Sequence, residues 1–181
     1  MNSTIELRSD RLLLRPINKL DAEALFKYRS DVVTNQYQGW IPKTMDDAHH
    51  FVSKVASKIN VYDTWFQFAI VLKDTGELIG DIGIHFLDEE NYQAEIGCTL
   101  AKSQHGKGIA NEALKTTINY LFGELNKHRI CCSIDPHNVA SIKMVERLGF
   151  RKEAHFKQSI LIDGEWVDDI VYALLKSEWG E

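Results

Sequence analysis

Residues 94–121 read AEIGCTLAKSQHGKGIANEALKTTINYL, and the spacing of their apolar residues changes midway. The first part, Ala94 to Ala101, has the short apolar character of a β-strand. From Gly108 onward, apolar residues recur every three or four positions, which predicts an amphipathic helix. Between the two lies a segment with two glycines, Gly106 and Gly108. The stretch therefore predicts a strand, a glycine loop and a helix in direct succession.

The flanking sequence predicts one mixed α/β domain. Ahead of this stretch it predicts a strand, two helices and a hairpin, and behind it a strand, a helix and a second hairpin. The hairpin turns are DTG at 74–76 and DG at 163–164. The predicted strands are 5–15, 65–73, 77–87, 94–101, 129–134, 150–162 and 165–175, and the predicted helices begin at Asp21, after Thr44 (with apolar positions as far as Ile59), at Gly108 and at Asn138. We expect residues 1–181 to form a single domain with a mixed, mostly antiparallel sheet and helices on its faces.

The composition excludes several classes of protein. The 181 residues are 44% apolar and 26% charged, which is typical of a globular domain and not of a disordered chain. No apolar run approaches the roughly 20 residues that cross a bilayer, and the first residues do not resemble a signal peptide. We therefore expect a cytoplasmic protein with no membrane partner.

Charge and cysteine usage narrow the partners further. A net charge of −5 disfavours a nucleic-acid partner, because phosphate backbones are bound mainly by clustered Lys and Arg, and it favours a cationic acceptor. The three cysteines, Cys98, Cys131 and Cys132, form no CxxC motif and have no matching histidine spacing. We expect neither a disulfide scaffold nor a metal site, and Cys131 and Cys132 are predicted to be small buried residues.

The glycine loop is a candidate phosphate-binding site. Glycines let backbone N–H groups turn toward a ligand, and the start of a helix adds unpaired donors and the positive end of the helix dipole. The loop is not a Walker motif, which would need glycine at Ala101, and Asn111 stands where a dinucleotide motif has its third glycine. Two glycines alone are equally compatible with a plain connection. The loop consists of His105, Gly106, Lys107, Gly108, Ile109 and Ala110.

A second strand and helix, residues 129–148, add two polar side chains. Asn138 is placed to cap this helix, and Ser141 lies in the same first turn. An amide caps through its oxygen and still offers N–H donors to a ligand. Capping and ligand binding are therefore compatible roles for Asn138.

Five stretches together resemble the GCN5-related N-acetyltransferases, and within them the branch of the ribosomal-protein N-terminal acetyltransferases. Together they span nearly the whole chain, and their order is far more specific than a glycine pair. The stretches are SDRLLLRP (9–16), AEIGCTL (94–100), QHGKGIANEAL (104–114), DPHNVASIKMVERLGF (135–150) and DGEWVDDIVYALLKSEW (163–179).

The resemblance implies the fold of that family, in which two parallel strands splay apart, and acetyl-coenzyme A (acetyl-CoA) as acetyl donor. It implies that the pyrophosphate lies on the amides of the glycine loop. The pantetheine arm would then pair with the edge of Cys98, Thr99 and Leu100 in the gap between the splayed strands. Asn138 would contact the arm near the thioester, and Ser141 would lie beside the sulfur. The family often forms dimers, so both a monomer and a homodimer are open.

Two positions depart from the family pattern. His105 stands where Gln or Arg is more common, a change that backbone contacts should tolerate. Val145 stands where many members have a tyrosine that protonates the departing thiolate. Ser141 is therefore the candidate proton donor, with a purely structural hydroxyl as the alternative.

The acceptor in such a reaction is a neutral primary amine. A free α-amine has a pKa of about 7.7 to 8.0, so roughly a tenth is neutral at pH 7, whereas a lysine amine near 10.4 is almost wholly protonated. Glu95 is the first candidate base, because it begins the strand that should border the acetyl group, although it also suits an ordinary strand-end carboxylate. Asp81 and His85 share one face of the neighbouring strand and are the alternatives.

The loop YQGWIP, residues 37–42, bears on the acceptor. Its aromatic residues Tyr37 and Trp40 either line a pocket or plug the edge of the core. The acceptor is a protein N-terminal amine, by likeness to the ribosomal branch, or a small polyamine or aminoglycoside. A concave acidic pocket would favour polycations, and an open groove beside this loop would favour a peptide. A non-catalytic acetyl-CoA-binding module is the alternative from another class.

Overall fold

Eight strands form one sheet in the computed structural model, which describes residues 5–180. The strands are β1 (Leu7–Arg8), β2 (Leu12–Pro16), β3 (Trp65–Leu72), β4 (Leu78–Phe86), β5 (Gln93–Leu100), β6 (Arg129–Ile134), β7 (Arg151–Ile162) and β8 (Glu165–Leu175). The helices are α1 (Ala22–Arg29), α2 (Met45–Lys54), α3 (Ile109–Gly123) and α4 (Val139–Arg147), with 3₁₀ turns at Lys19–Asp21, Lys102–Gln104 and Lys176–Glu178.

The sheet has the order β1-β2-β3-β4-β5-β6-β8-β7. Every neighbouring pair is antiparallel except β5 and β6, which are parallel. The mixed, mostly antiparallel sheet and the meander of β3, β4 and β5 are therefore confirmed. Both hairpin turns also stand where the sequence predicts them, with Gly76 and Gly164 at positive φ.

The parallel pair is short. Only three residues of β5 pair with β6, and Glu95 opposite Cys131 is the last of them. Among residues 5–180, β5 has no strand partner on that side from Ile96 onward, because its remaining pairs all lie on the β4 side. The splayed parallel pair that the family resemblance implies is thus present, and it opens a gap in the middle of the sheet.

Helices cover both faces of the sheet, because alternate residues of the central strands point to opposite sides. On one face, Phe66 and Phe68 of β3 belong to the main core, together with apolar residues of α3 and α4. On the other face, Ala69 and Val71 form a smaller core with α1 and α2. Cys131 and Cys132 are both buried, as predicted.

Two predicted elements are wrong in extent. The single strand expected over residues 5–15 is two strands, because the chain turns after Ser9, whose backbone N–H donates to the carbonyl of Leu12 at 3.0 Å. The second helix was expected to run to Ile59, but α2 ends at Lys54, where Val55 adopts extended backbone. Its start is as predicted, since Thr44 caps the helix by accepting from the N–H of Asp47 at 3.2 Å. No helix within residues 5–180 is long and apolar enough to cross a membrane.

Candidate active site

Two adjoining cavities lie at the gap between β5 and β6. The first, which we call the strand cavity, has a volume of about 500 Å³ and includes Glu95 and the open parts of both strands in its wall. The second, the loop cavity, has a volume of about 1010 Å³ and lies against the glycine loop and the start of α3. They share wall residues from β5, α4 and the loop after α1, namely Tyr37, Gln38, Cys98, Thr99, Asn138, Ser141 and Met144.

The glycine loop has the backbone shape that a bound anion requires. Gly106 and Gly108 have φ values of +74° and +75°, a region that residues with a Cβ rarely adopt. No atom lies within 4 Å of the position where a Cβ of Gly106 would stand. Gly108 directly precedes α3, so the unpaired N–H groups of that helix border the loop cavity.

Side chains from outside hold the loop in place. Arg11 donates from Nη1 to the carbonyl of Lys107 at 3.0 Å, and its Nε pairs with Glu112 of α3 at 2.6 Å. His105 places Nε2 at 3.1 Å from the carbonyl oxygen of Leu100, which ties the loop to the end of β5. The side chain of Lys107 places Nζ at 3.4 Å from Gln104 Oε1. Among the six loop residues, Lys107 alone does not line the loop cavity.

The free edge of β5 continues the wall from the loop toward Glu95. Cys98 and Thr99 line both cavities, and Leu100 lines the loop cavity. Burial raises the pKa of the Cys98 thiol to about 12, so this group is a neutral thiol at physiological pH. The edge therefore offers backbone groups, and no thiolate, to whatever occupies the gap.

The start of α4 faces the same gap. Asn138 is the N-cap, as predicted, and its side-chain oxygen accepts from the N–H of Ser141 at 3.2 Å. This hydrogen bond uses the amide oxygen, so the amide nitrogen remains a donor. Val145, which replaces the tyrosine of many family members, is buried in the wall of the strand cavity and carries no titratable group.

Glu95 is the last residue of β5 that pairs with β6. Its side chain is 27% exposed, and burial raises the pKa of the carboxyl group above its usual range, against the opposing effect of His85. His85 lies across the β4–β5 pair with Nδ1 at 3.9 Å from Glu95 Oε2, and its ring stacks on Trp65 at 4.8 Å. A partly buried carboxylate with a raised pKa accepts a proton more readily than a free glutamate does.

The aromatic residues of the loop after α1 fulfil both predicted roles. Trp40 stacks on Phe51 of α2 with ring centroids 4.7 Å apart, and it also lines the strand cavity. Tyr37 lines both cavities. The loop therefore packs on the smaller core and forms part of the cavity wall at the same time.

Asp81 is placed differently from the expectation. It shares a face with His85, as alternation predicts, but its side chain is fully buried beneath α1 and lines neither cavity. Its carboxylate accepts hydrogen bonds from Arg29, Gln67 and Tyr28. The expectation that Asp81 meets the acceptor is corrected, because α1 covers that end of β4.

The sequence of the chain matches a known protein family. Residues 11–151 match the acetyltransferase (GNAT) domain family. The chain belongs to the GNAT acetyltransferases.

Individual relatives of this GNAT protein agree along almost the whole chain. An N-acetyltransferase named p20 from Bacillus licheniformis is 34% identical over 96% of this chain and 97% of its own length. A ribosomal protein uS5 alanine N-acetyltransferase from Escherichia coli K12 is 29% identical over 97% of this chain and 93% of its own. The crystal structure of a GNAT-family acetyltransferase from Bacillus anthracis superposes with a TM-score of 0.85 at 32% identity, over 96% of this chain and 100% of that one.

As a GNAT enzyme, the protein is an acetyl-CoA-dependent acetyltransferase, and the residues at the gap fit that donor. A diphosphate needs convergent N–H groups, which the open glycine loop and the start of α3 supply. A pantetheine arm with its amides needs an unpaired strand edge, which β5 offers beyond Glu95. The two cavities join these places along one path.

Sequence reasoning missed several charged residues of the GNAT site. Asp135, Asp168 and Asp169 line the strand cavity, and Asp169 accepts from Ser133 Oγ at 2.6 Å. Arg29 also lines it, from the end of α1. The signal for Arg29 was present, because it falls on the same helical face as the buried Ala22 and Leu25, where a charge needs a partner.

Proposed function

We propose that this acetyltransferase acts on the α-amine at the N-terminus of a polypeptide. The observation that carries the proposal is Glu95, a partly buried carboxylate with a raised pKa at the junction of the two strands. A carboxylate with a raised pKa is a better proton acceptor than a free one, and it takes a proton from an α-ammonium group of pKa about 8 far more readily than from a lysine near 10.4. The ribosomal protein uS5 alanine acetyltransferase among the relatives supports the same class of acceptor.

The donor occupies the loop cavity in this proposal. The backbone N–H groups of residues 105–110 bind the diphosphate, and Arg11 keeps the loop in its open shape through Lys107. The pantetheine arm pairs with Cys98, Thr99 and Leu100. Asn138 donates to the arm from its free amide nitrogen, since its oxygen is engaged by Ser141.

The acetyl group supplied by acetyl-CoA then lies at the edge of the strand cavity, beside Cys98 and Ser141. Glu95 accepts the proton of the incoming ammonium, directly or through a water molecule. Backbone N–H groups near Cys98 stabilise negative charge on the carbonyl oxygen, an effect that is large in a site with little water. Ser141 donates a proton to the leaving sulfur, a role that Val145 has no group to perform.

A small cationic amine is the second candidate acceptor. The carboxylates of Asp135, Asp168 and Asp169 line the strand cavity and favour a cation. All three already have basic or hydroxyl partners, since Asp135 pairs with His137 at 2.8 Å, Asp168 with Lys157 at 2.7 Å and Asp169 with Ser133. This engagement makes the peptide acceptor the better supported of the two.

An acetyl-transfer screen tests the proposal. The protein is incubated with acetyl-CoA and peptides that carry a free N-terminus and an internal lysine, with spermidine, and with an aminoglycoside, and the products are located by mass spectrometry. The matched control is the same peptide with a formylated N-terminus. We expect acetylation of the free α-amine alone. Acetylation of the formylated peptide, or of spermidine in preference to every peptide, would contradict the proposal.

A further inference from the structure

The side chains of Arg29 and Glu95 both line the strand cavity. Arg29 is the last residue of α1, is only 8% exposed, and lines this cavity. Its partner Asp81 pairs in the sheet with Thr99, whereas Glu95 pairs with His85 four residues away along β5. The row between them consists of Gly83 and Gly97. Side chains of Trp65 and Gln67 cover Gly83, whereas no atom lies within 4 Å of the position where a Cβ of Gly97 would stand, so the opening between the two charged residues lies over Gly97.

The hydrogen bonds of Arg29 leave one edge of the group free. Nε donates to Asp81 Oδ2 at 2.8 Å and Nη2 to Asp81 Oδ1 at 2.5 Å, which is a side-on bidentate pair. A guanidinium is planar, so the remaining N–H groups of Nη1 point away from that carboxylate. Within residues 5–180, no buried side-chain nitrogen or oxygen lacks a partner. The two hydrogen bonds to Asp81 do not use Nη1, so this nitrogen is not fully enclosed, and the open space beside Arg29 is the strand cavity.

The surroundings hold this donor rigidly. The guanidinium carbon lies 5.8 Å from the centre of the Trp40 ring and 5.3 Å from that of Phe51, so two aromatic side chains flank the group. Asp81 is fixed in turn by Gln67, whose Nε2 donates to it at 2.8 Å, and by the hydroxyl of Tyr28. An ion pair serving stability alone would not need to leave donors facing a cavity. A fixed, partly desolvated donor is suited to recognise an oxygen atom of a ligand.

From this geometry we infer that Arg29 binds the carbonyl oxygen of the first peptide bond of the acceptor while Glu95 receives the proton of its α-ammonium group through a water molecule. The inference rests on the proposed function and narrows it, because it selects acceptors that carry a carbonyl oxygen next to the reacting amine. Spermidine has no such oxygen and would leave Nη1 without a partner. Covering a charged donor without supplying an acceptor is costly, so the contact discriminates between the two acceptor classes.

The test compares two acceptors of the same shape. One is trialanine amide, and the other is its isostere in which a trans carbon–carbon double bond replaces the first peptide bond and removes the carbonyl oxygen. Release of free thiol from acetyl-CoA gives kcat/KM for each, and the preference is the ratio of the two values. Any difference in the pKa of the two amines is the same for every enzyme variant and cancels when preferences are compared.

We expect the wild-type enzyme to prefer trialanine amide by about ten- to a hundredfold, as for a hydrogen bond from a charged donor. Arg29→Lys keeps a cation against Asp81 but loses the planar fork, so the preference should fall at least tenfold. The matched control is Arg15→Lys, because Arg15 forms a similar bidentate pair with Asp21, both contacts 2.7 Å, and lines neither cavity. This variant should keep the wild-type preference.

A second variant provides the test if Arg29→Lys does not fold. The double variant Arg29→Gln/Asp81→Asn removes both charges together and should show the same loss of preference. Equal use of the two acceptors by the wild type, or a preference that Arg29→Lys or the double variant retains, would overturn the inference while leaving the peptide acceptor intact. If neither compound is acetylated while spermidine is, the proposed peptide acceptor itself fails, and the inference with it.

Discussion

The loop cavity and the strand cavity are built from different parts of the chain. The loop cavity presents main-chain groups, arranged by two glycines at positive φ and by the start of a helix. The strand cavity presents side chains that come from distant segments, such as Arg29 of α1 and Glu95 of β5. A substitution in the first region acts by changing backbone shape, whereas one in the second removes a charge, a ring or a proton acceptor. The predictions below test whether this division holds.

The largest effect is expected in the side-chain region, at Asp81. Asp81→Asn leaves the guanidinium of Arg29 buried without a counter-charge, which should cost about 3–5 kcal/mol of unfolding free energy. Urea denaturation followed by circular dichroism measures the loss. The control is Glu6→Gln, because the Glu6–Arg8 pair is exposed and should contribute at most about 1 kcal/mol. Equal losses for the two variants would mean that the floor of the strand cavity does not depend on this pair.

Glu95→Gln should lower kcat/KM about a hundredfold near pH 6.5, as expected for loss of a general base. The raised pKa of Glu95 means that the wild-type rate falls in acid at a higher pH than for an ordinary glutamate. Above about pH 8 an α-amine is already neutral, so the deficit of the variant should shrink there. The exposed Glu90→Gln serves as control. A pH profile of unchanged shape would remove Glu95 as the base.

Gly108→Val tests the main-chain region. A β-branched residue at φ +75° is strained by about 1–3 kcal/mol and moves the N–H groups that border the loop cavity. We expect acetyl-CoA to bind about tenfold more weakly, as measured by titration calorimetry. The matched control is Gly76→Val, because Gly76 has φ +71° in the β3–β4 turn. This variant should be less stable but should bind acetyl-CoA with unchanged affinity. Unchanged affinity in Gly108→Val would show that the glycine loop does not bind acetyl-CoA.

The smallest effect is expected at Ser141. Ser141→Ala removes the hydroxyl but keeps the backbone N–H that Asn138 caps, so α4 should remain intact. We expect turnover to fall about three- to tenfold while the affinity for acetyl-CoA stays the same, which steady-state kinetics and calorimetry separate. Ser53→Ala, on the exposed side of α2, should change neither. Normal turnover in Ser141→Ala would assign protonation of the sulfur to water or another group.

Local pattern was sufficient for the main-chain region. The glycine loop, the cap at Asn138 and the start of α2 at Thr44 each depend on residues within a few positions of one another, so the sequence predicts them correctly. The extents of the first strand and of α2 were wrong for the opposite reason. Ser9 turns the chain inside an apolar run, and Val55 leaves the helix although its apolar spacing continues.

The side-chain region depends on contacts between distant residues. Arg29 and Asp81 are separated by 52 positions, and no spacing rule relates them. Alternation along β4 correctly groups Asp81 with His85 on one face, but it does not reveal that α1 covers one of them and leaves the other near the cavity. Alternation along a strand shows which face of the sheet a side chain lies on, but not how deeply a neighbouring helix buries it. The residues on the acceptor side of the site therefore could not be identified from the sequence alone.

The short β5–β6 contact has a mechanical consequence. A tension that draws the first five strands away from the last three has to break only three residue pairs of the sheet, whereas β3 and β4 hold each other through seven. Apart from the edge pair of β1 and β2, which has two residue pairs, no junction of the sheet has fewer pairs, and the two cavities lie along this seam. Any molecule that spans this seam reinforces the domain at a place in the centre of the sheet where the chain itself supplies few bonds.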